Sequence, residues 1–165
     1  MSEIKTRINV IGDIQRHLAT KEKKPADFVH AETCFLQVRF ICELIALSAA
    51  AAHQTAGLTK DILKSWHADR SLGYLAEINP HCFPKPVKMT IQADGMKHFE
   101  IQDDGLDQIG LRRIYNACGE ALHRGTLKHA LNQKERVYDL QELNGWVRAI
   151  GTLLAEHTIL VLSEN

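Results

Sequence analysis

The sequence has no net charge: 20 Lys and Arg offset 20 Asp and Glu across 165 residues. That balance removes any global argument for nucleic acid or an anionic membrane, so such binding must rest on a local patch. Its four cysteines form no CxxC pair, and it has no Gly-rich phosphate loop and no GxSxG turn. The usual sequence marks of dithiol chemistry, nucleotide loops and α/β-hydrolase catalysis are therefore missing. His81 and Cys82 adjoin, but no second pair at ligand spacing completes a zinc site, so no metal and no other cofactor is expected. There is no internal repeat and no low-complexity tract beyond Ala49–Ala52. The opening residues, MSEIKTRINV, lack the continuous apolar core of a secretory signal. With Cys34, Cys42, Cys82 and Cys118 read as buried reduced thiols, the expected location is the cytoplasm.

An uninterrupted membrane-length apolar run is also missing. A span needs about 20 apolar residues. The longest run here, Cys34 to His53, carries Gln37, Arg39 and Glu43, with His30 and Glu32 just before it. What is present is a long stretch of strong helix formers with no Pro or Gly from Ala26 to Ala56. It predicts one helix from about Ala26 to Gln54. Apolar residues on nearly all its sides predict a central helix buried on every face.

The remaining chain divides around it. Hydrophobic residues make up 45%, which suits a single globular domain over residues 1–165. Ile4, Ile8, Ile11 and Leu18 recur at helical spacing and predict a first helix over about Ser2–Thr20. The charged KEKKP stretch at Lys21–Pro25 is a connection. A third helix is expected from about Lys60 to Ile78, with Ile62, Leu63, Trp66, Tyr74, Leu75 and Ile78 as its apolar set. Three prolines in Asn79–Pro86 then exclude helix.

After them Val87, Met89 and Ile91 alternate with Lys88, Thr90 and Gln92, Asp94-Gly95 supplies turn chemistry, and Phe99 and Ile101 alternate with His98 and Glu100. That pattern is a β-hairpin inserted over about 86–102, whose apolar face needs the bundle or a partner to pack on. A fourth helix is expected over about Leu106–His123, capped by Asp103 or Asp104, with Leu111, Ile114, Tyr115, Cys118 and Leu122 as its apolar stripe. A last helix is expected from about Asp139 to Leu162, with Leu143, Val147, Ile150, Leu154, His157 and Val161 facing the core and Trp146 beside them. The fold class is mainly α: an up-and-down bundle of about five helices with a small inserted β-hairpin.

Two polar stripes stand out. Glu32, Arg39 and Glu43 share one side of the long helix, so Arg39 and Glu43 can pair along it or present a guanidinium to a cleft. On the fourth helix Arg112, Asn116, Gly119, Glu120 and His123 share one side. Gly119 costs the helix about 1 kcal/mol relative to Ala, which points to a close approach by a neighbour or ligand. The candidate catalytic set is His123, Arg39, Asn116, Glu43 and Arg112. Imidazole is suited to proton transfer because its ordinary pKa is roughly 6.5. The basic segment His123–Arg136 supplies the candidate nucleic-acid contacts Arg124, Lys128, Lys134 and Arg136.

The run LQVRFICELIALSAAAAH, the W…L…INPHCFPKP segment and IYNACGEALHRG together resemble a group of bacterial helical proteins in the HEPN-like superfamily. The resemblance covers about Phe28–Gly125. It implies an up-and-down bundle of four to five helices, often a homodimer. Many members are metal-independent ribonucleases of toxin–antitoxin or antiphage systems, and others are non-catalytic. The superfamily motif is an Arg, four to six residues, then a His. Arg124 to His129 matches it, but a chain with nine His and nine Arg is expected to show such a spacing by chance, and the match spans Gly125, where the fourth helix should end. The cluster Arg39/Glu43 with Asn116/His123 departs from that spacing.

Two functions are therefore in play. One is an RNA-directed protein, a metal-independent endoribonuclease. The other is a non-catalytic interaction or dimerisation module with the hairpin at its interface. The expected partners are a second copy, RNA, and a cognate antitoxin or other protein, with no membrane. An enzyme should hold Arg39, Asn116 and His123 in one open cleft, whereas a structural clasp should hold them dry.

Overall fold

In the computed structural model, which describes residues 2–19, 27–53, 68–102, 105–123 and 137–161, the long apolar run is helix α2, Asp27–Ala52. Around it lie α1 (Ser2–Ala19), α3 (Ala68–Ile78), α4 (Gln108–Leu122) and α5 (Leu140–Ala155). The chain is thus mainly α, with a small antiparallel sheet of β1 (Lys85–Ile91), β2 (Lys97–Ile101) and β3 (His157–Thr158) in the order β2-β1-β3.

The buried residues of α2 are Ala31, Cys34, Phe35, Val38, Ile41, Cys42, Ile45, Ala46 and Ala49. They recur every three or four positions and make one broad stripe. Each fully buried Val or Ile among them stabilises the fold by about 1.5–3 kcal/mol. Leu47 is 56% exposed and Phe28 51%, so the expectation of burial on every face is corrected. The helix is central, but its outer side meets water. Among the described residues it alone is long and apolar enough to cross a membrane, yet its stripe is spent on packing against the other four helices.

Each neighbour docks through a few side chains. Ile4 and Ile11 of α1 are buried, and Arg7 reaches across to donate to Gln37 Oε1 at 2.6 Å while covering the Phe40 ring at 4.7 Å. Phe35 meets Trp146 edge-on at 5.9 Å and Tyr138 at 5.7 Å, which joins α2 to α5 and to the residues before it. In α3 the buried residues include Ala68, Ser71, Leu72 and Leu75, whereas Tyr74 is 40% exposed, which corrects the expected stripe. Ile62, Leu63 and Trp66 lie outside the described residues.

The hairpin follows the expected alternation, with Val87 opposite Ile101, Met89 opposite Phe99 and Ile91 opposite Lys97. Gly95 takes φ +81°, a conformation that a residue with a side chain rarely adopts, and the Asp94 carboxylate accepts from the Met96 amide at 2.9 Å. The last helix differs from expectation. It starts after Asp139, whose carboxylate caps the amides of Gln141 and Glu142, but it stops at Ala155. Glu156 is extended, and His157–Thr158 pairs with Pro86 and Lys85. The β-branched sequence Thr158-Ile159 favours strand once β1 offers an open edge. His157 is consequently exposed, not part of the core, and Val161 is 45% exposed.

A buried polar clasp anchors the segment beyond β3. His53, 1% exposed, ends α2 with Nδ1 2.7 Å from the Ala49 carbonyl. With that nitrogen donating, Nε2 accepts from the Asn79 amide at 3.1 Å. Asn79 also donates to the Leu160 carbonyl at 2.7 Å.

Candidate functional site

Helix α4 is amphipathic in the way its spacing requires. Leu111, Ile114, Tyr115 and Cys118 are buried, whereas Arg112, Asn116, Glu120 and His123 are exposed. Its cap is Asp107, which accepts from the Gly110 amide at 2.7 Å. Asp103 and Asp104, the expected caps, lie outside the described residues. The helix ends at His123, whose φ of −71° and ψ of 132° turn the chain away while its N–H donates to the Gly119 carbonyl at 3.0 Å.

The buried face of α4 lies on α2, and this sets Arg39 against Tyr115. The guanidinium sits 4.0 Å above the Tyr115 ring centre, with Nη2 donating to the Tyr115 hydroxyl at 2.6 Å and Nη1 to its carbonyl at 3.5 Å. Nε is 3.7 Å from the Glu43 carboxylate. Only a glycine allows this approach. A Cβ on Gly119 would stand 2.5 Å from Nη1 of Arg39. The expected close approach at Gly119 is therefore that of the Arg39 side chain. Nη1 and Nη2 thus each give one of the guanidinium's five N–H donors to Tyr115, and Glu43 pairs with Nε beyond hydrogen-bond length.

Beside this arginine is an open cleft of about 450 Å³. Arg39 enters it from α2 and Arg70 from α3; Tyr115, Asn116, Gly119, Glu120 and His123 line it from α4. The structure thus brings together three of the five expected catalytic residues: Arg39, Asn116 and His123. Glu43 stands behind, paired with Arg39, and Arg112 is exposed outside the lining. Glu32 belongs elsewhere: its carboxylate accepts from the Tyr138 hydroxyl at 2.6 Å. The expected nucleic-acid contacts Arg124, Lys128, Lys134 and Arg136 lie outside the described residues, as does His129.

Three lining residues, Glu120, Arg70 and Tyr115, lie outside the expected site set. Glu120 was visible as part of the polar stripe, one turn before His123. Arg70 left no sequence signal, because a single arginine on a polar helix face looks the same whether it meets solvent or a cleft. Tyr115 was assigned to the apolar stripe, and its ring is indeed buried, but its hydroxyl and π-face also hold Arg39.

All four cysteines are buried and unlinked. Burial pushes the Cys34 thiol up to about 11 and the Cys118 thiol up to about 12. Cys42 is raised too, by burial first and then by Cys118 and Glu43, with Arg39 acting in the opposite direction. These thiols are neutral packing groups, not nucleophiles. Among the described residues no cluster of three or more His, Cys, Asp or Glu side chains is placed to hold a metal ion. Compared with protein-family models, curated proteins and solved structures, the chain matches none.

Proposed function

We propose that the cleft binds a phosphodiester of RNA and cleaves it as a metal-independent endoribonuclease. The observation that carries this reading is convergence. Two arginines, an amide, a carboxylate and an imidazole arrive from three helices at one open cleft. RNA as the substrate rests on the resemblance to HEPN-like proteins; the cleft itself supports phosphate binding and proton transfer.

The chemistry asks for three things. A base takes the proton of the ribose 2′-hydroxyl as its oxygen bonds to phosphorus. An acid protonates the 5′-oxygen as its bond to phosphorus breaks. Cations meet the charge that builds on the non-bridging oxygens. Glu120 and His123 are the two proton-transfer groups, with the carboxylate accepting from the 2′-hydroxyl and the protonated imidazole donating to the 5′-oxygen. Arg39 presents its guanidinium to the phosphate, and Arg70 meets it from α3. The Asn116 amide donates to a phosphate or ribose oxygen. Glu43 positions Arg39 from behind.

The test is incubation of the purified protein with single-stranded RNA in EDTA. Cleavage leaving 2′,3′-cyclic phosphate ends is expected, with losses of about 10²-fold or more for His123→Ala, in the range that proton-transfer groups contribute. No cleavage, or full activity in His123→Ala, would sink the assignment.

A further inference from the structure

The hairpin carries an interaction surface separate from the cleft. Among the described residues β2 is an edge of the sheet, and all five of its residues are exposed. On its apolar face Phe99 is 56% exposed and Ile101 43%, and Ile91 on the neighbouring strand is 68% exposed. An exposed edge strand with an apolar face is a template for another strand.

The ladder shows which backbone groups the edge offers. Gln92 donates to the Met96 carbonyl and Gln102 to the Pro86 carbonyl, so the pairs 92–96 and 86–102 are hydrogen-bonded. Hydrogen-bonded pairs alternate along an antiparallel ladder. His98 and Glu100 therefore also turn their backbone groups toward β1, and Lys97, Phe99 and Ile101 turn theirs outward.

We propose that β2 pairs antiparallel with β2 of a second copy, about a twofold axis through Phe99, to form one continuous six-stranded sheet. In that register Phe99 faces Phe99, and Lys97 faces Ile101 twice. Every facing pair of these three residues has outward backbone groups, so six main-chain hydrogen bonds form. The side chains between them are self-complementary: His98 of each copy lies opposite Glu100 of the other. Shifting the axis by one residue sets Glu100 against Glu100 or His98 against His98, so charge selects the register. Within each copy Lys88 already stands opposite Glu100, on the same polar face. The apolar faces join into one surface, in which Phe99 and Ile101 of each copy are neighbours.

Light scattering across about 1–200 μM protein tests this surface, and its outcome is independent of any activity in the cleft. The unsubstituted protein should pass from monomer to dimer in that range. Phe99→Pro removes an outward N–H that β1 does not use, so the hairpin is retained while the dimer is lost. If Phe99→Pro misfolds, charge variants decide: His98→Glu should weaken the dimer roughly tenfold, because the change is made twice about the axis, and adding Glu100→His should restore it. At high concentration the amides of Lys97, Phe99 and Ile101 should become protected from hydrogen exchange. A monomer at every concentration, a dimer indifferent to the charge variants, or no gain in protection at those three amides would overturn the proposal.

Discussion

Replacing Gly119 by Ala sets two effects of opposite sign against each other. Helix propensity favours Ala by about 1 kcal/mol. The added carbon would stand 2.5 Å from Nη1 of Arg39 and 3.7 Å from its Cζ, so the end of this flexible side chain must shift. Leaving its seat altogether gives up the bond to the Tyr115 hydroxyl and the stacking on its ring. A hydrogen bond from a charged donor contributes about 1.5–3 kcal/mol, and a partly exposed cation–π contact about 0.5–1 kcal/mol. Complete loss of both contacts, about 2–4 kcal/mol, exceeds the propensity gain, so Gly119→Ala is destabilised by at most about 3 kcal/mol. For a chain of this size Tm then falls by at most about 10 °C.

The decisive comparison is the same substitution in an Arg39→Met background. With the guanidinium gone, Gly119→Ala should become stabilising, by up to about 1 kcal/mol. Urea denaturation of the four proteins gives the coupling free energy, expected at up to about 4 kcal/mol for side chains in direct contact. If Gly119→Ala stabilises both backgrounds equally, Arg39 does not occupy the notch, and the account of the cleft wall is wrong.

Two further outcomes follow from the interior. The buried thiols stay protonated in the folded chain, whereas in the unfolded chain they ionise near pH 8.5; the stabilisation they give is complete below that pH and is lost as pH rises toward their folded values, about 11 for Cys34 and about 12 for Cys118. Urea titrations between pH 9 and 11 should show that loss, with Cys118→Ala flattening the slope by about 1.4 kcal/mol per pH unit, and an unchanged slope would contradict it. Asn79→Ala leaves Nε2 of buried His53 and the Leu160 carbonyl without their donor, and should lower stability by about 2–4 kcal/mol in thermal or urea unfolding; a change under about 0.5 kcal/mol would show that the clasp is not closed.

Much of the secondary structure could be read locally because its causes are local. The absence of Pro and Gly from Ala26 to Ala56 gave the long helix, observed as Asp27–Ala52. Alternation from Val87 and the Asp94-Gly95 turn gave the hairpin, and the pairing of Met89 with Phe99 follows from them. Failures came where a distant partner overruled local preference. The last helix was expected to reach Leu162, but β1 captured His157–Thr158 and carried His157 out to solvent. Nearly uniform apolarity in α2 suggested burial all round, since composition alone cannot say which face neighbours will cover. For the site, periodicity placed Asn116, Glu120 and His123 on one side of α4, and Gly119 marked a close approach. It could not name the approaching group.

From its sequence alone this protein is a mainly helical chain with an inserted hairpin, buried thiols and two polar stripes. Those properties depend on residue type and on spacings of two to four positions, which a linear text records. The tertiary structure decided that the stripes meet: Arg39 lies against Tyr115, 76 positions away in the chain, and Arg70 joins them from a third helix. Such meetings depend on how packed helices rotate about one another, and that rotation is set by the whole core at once. The structure also decided that, among the described residues, β2 is an exposed edge, and which of its amides face outward. A strand's sequence states what it can pair with, but only the assembled sheet states which side is still open.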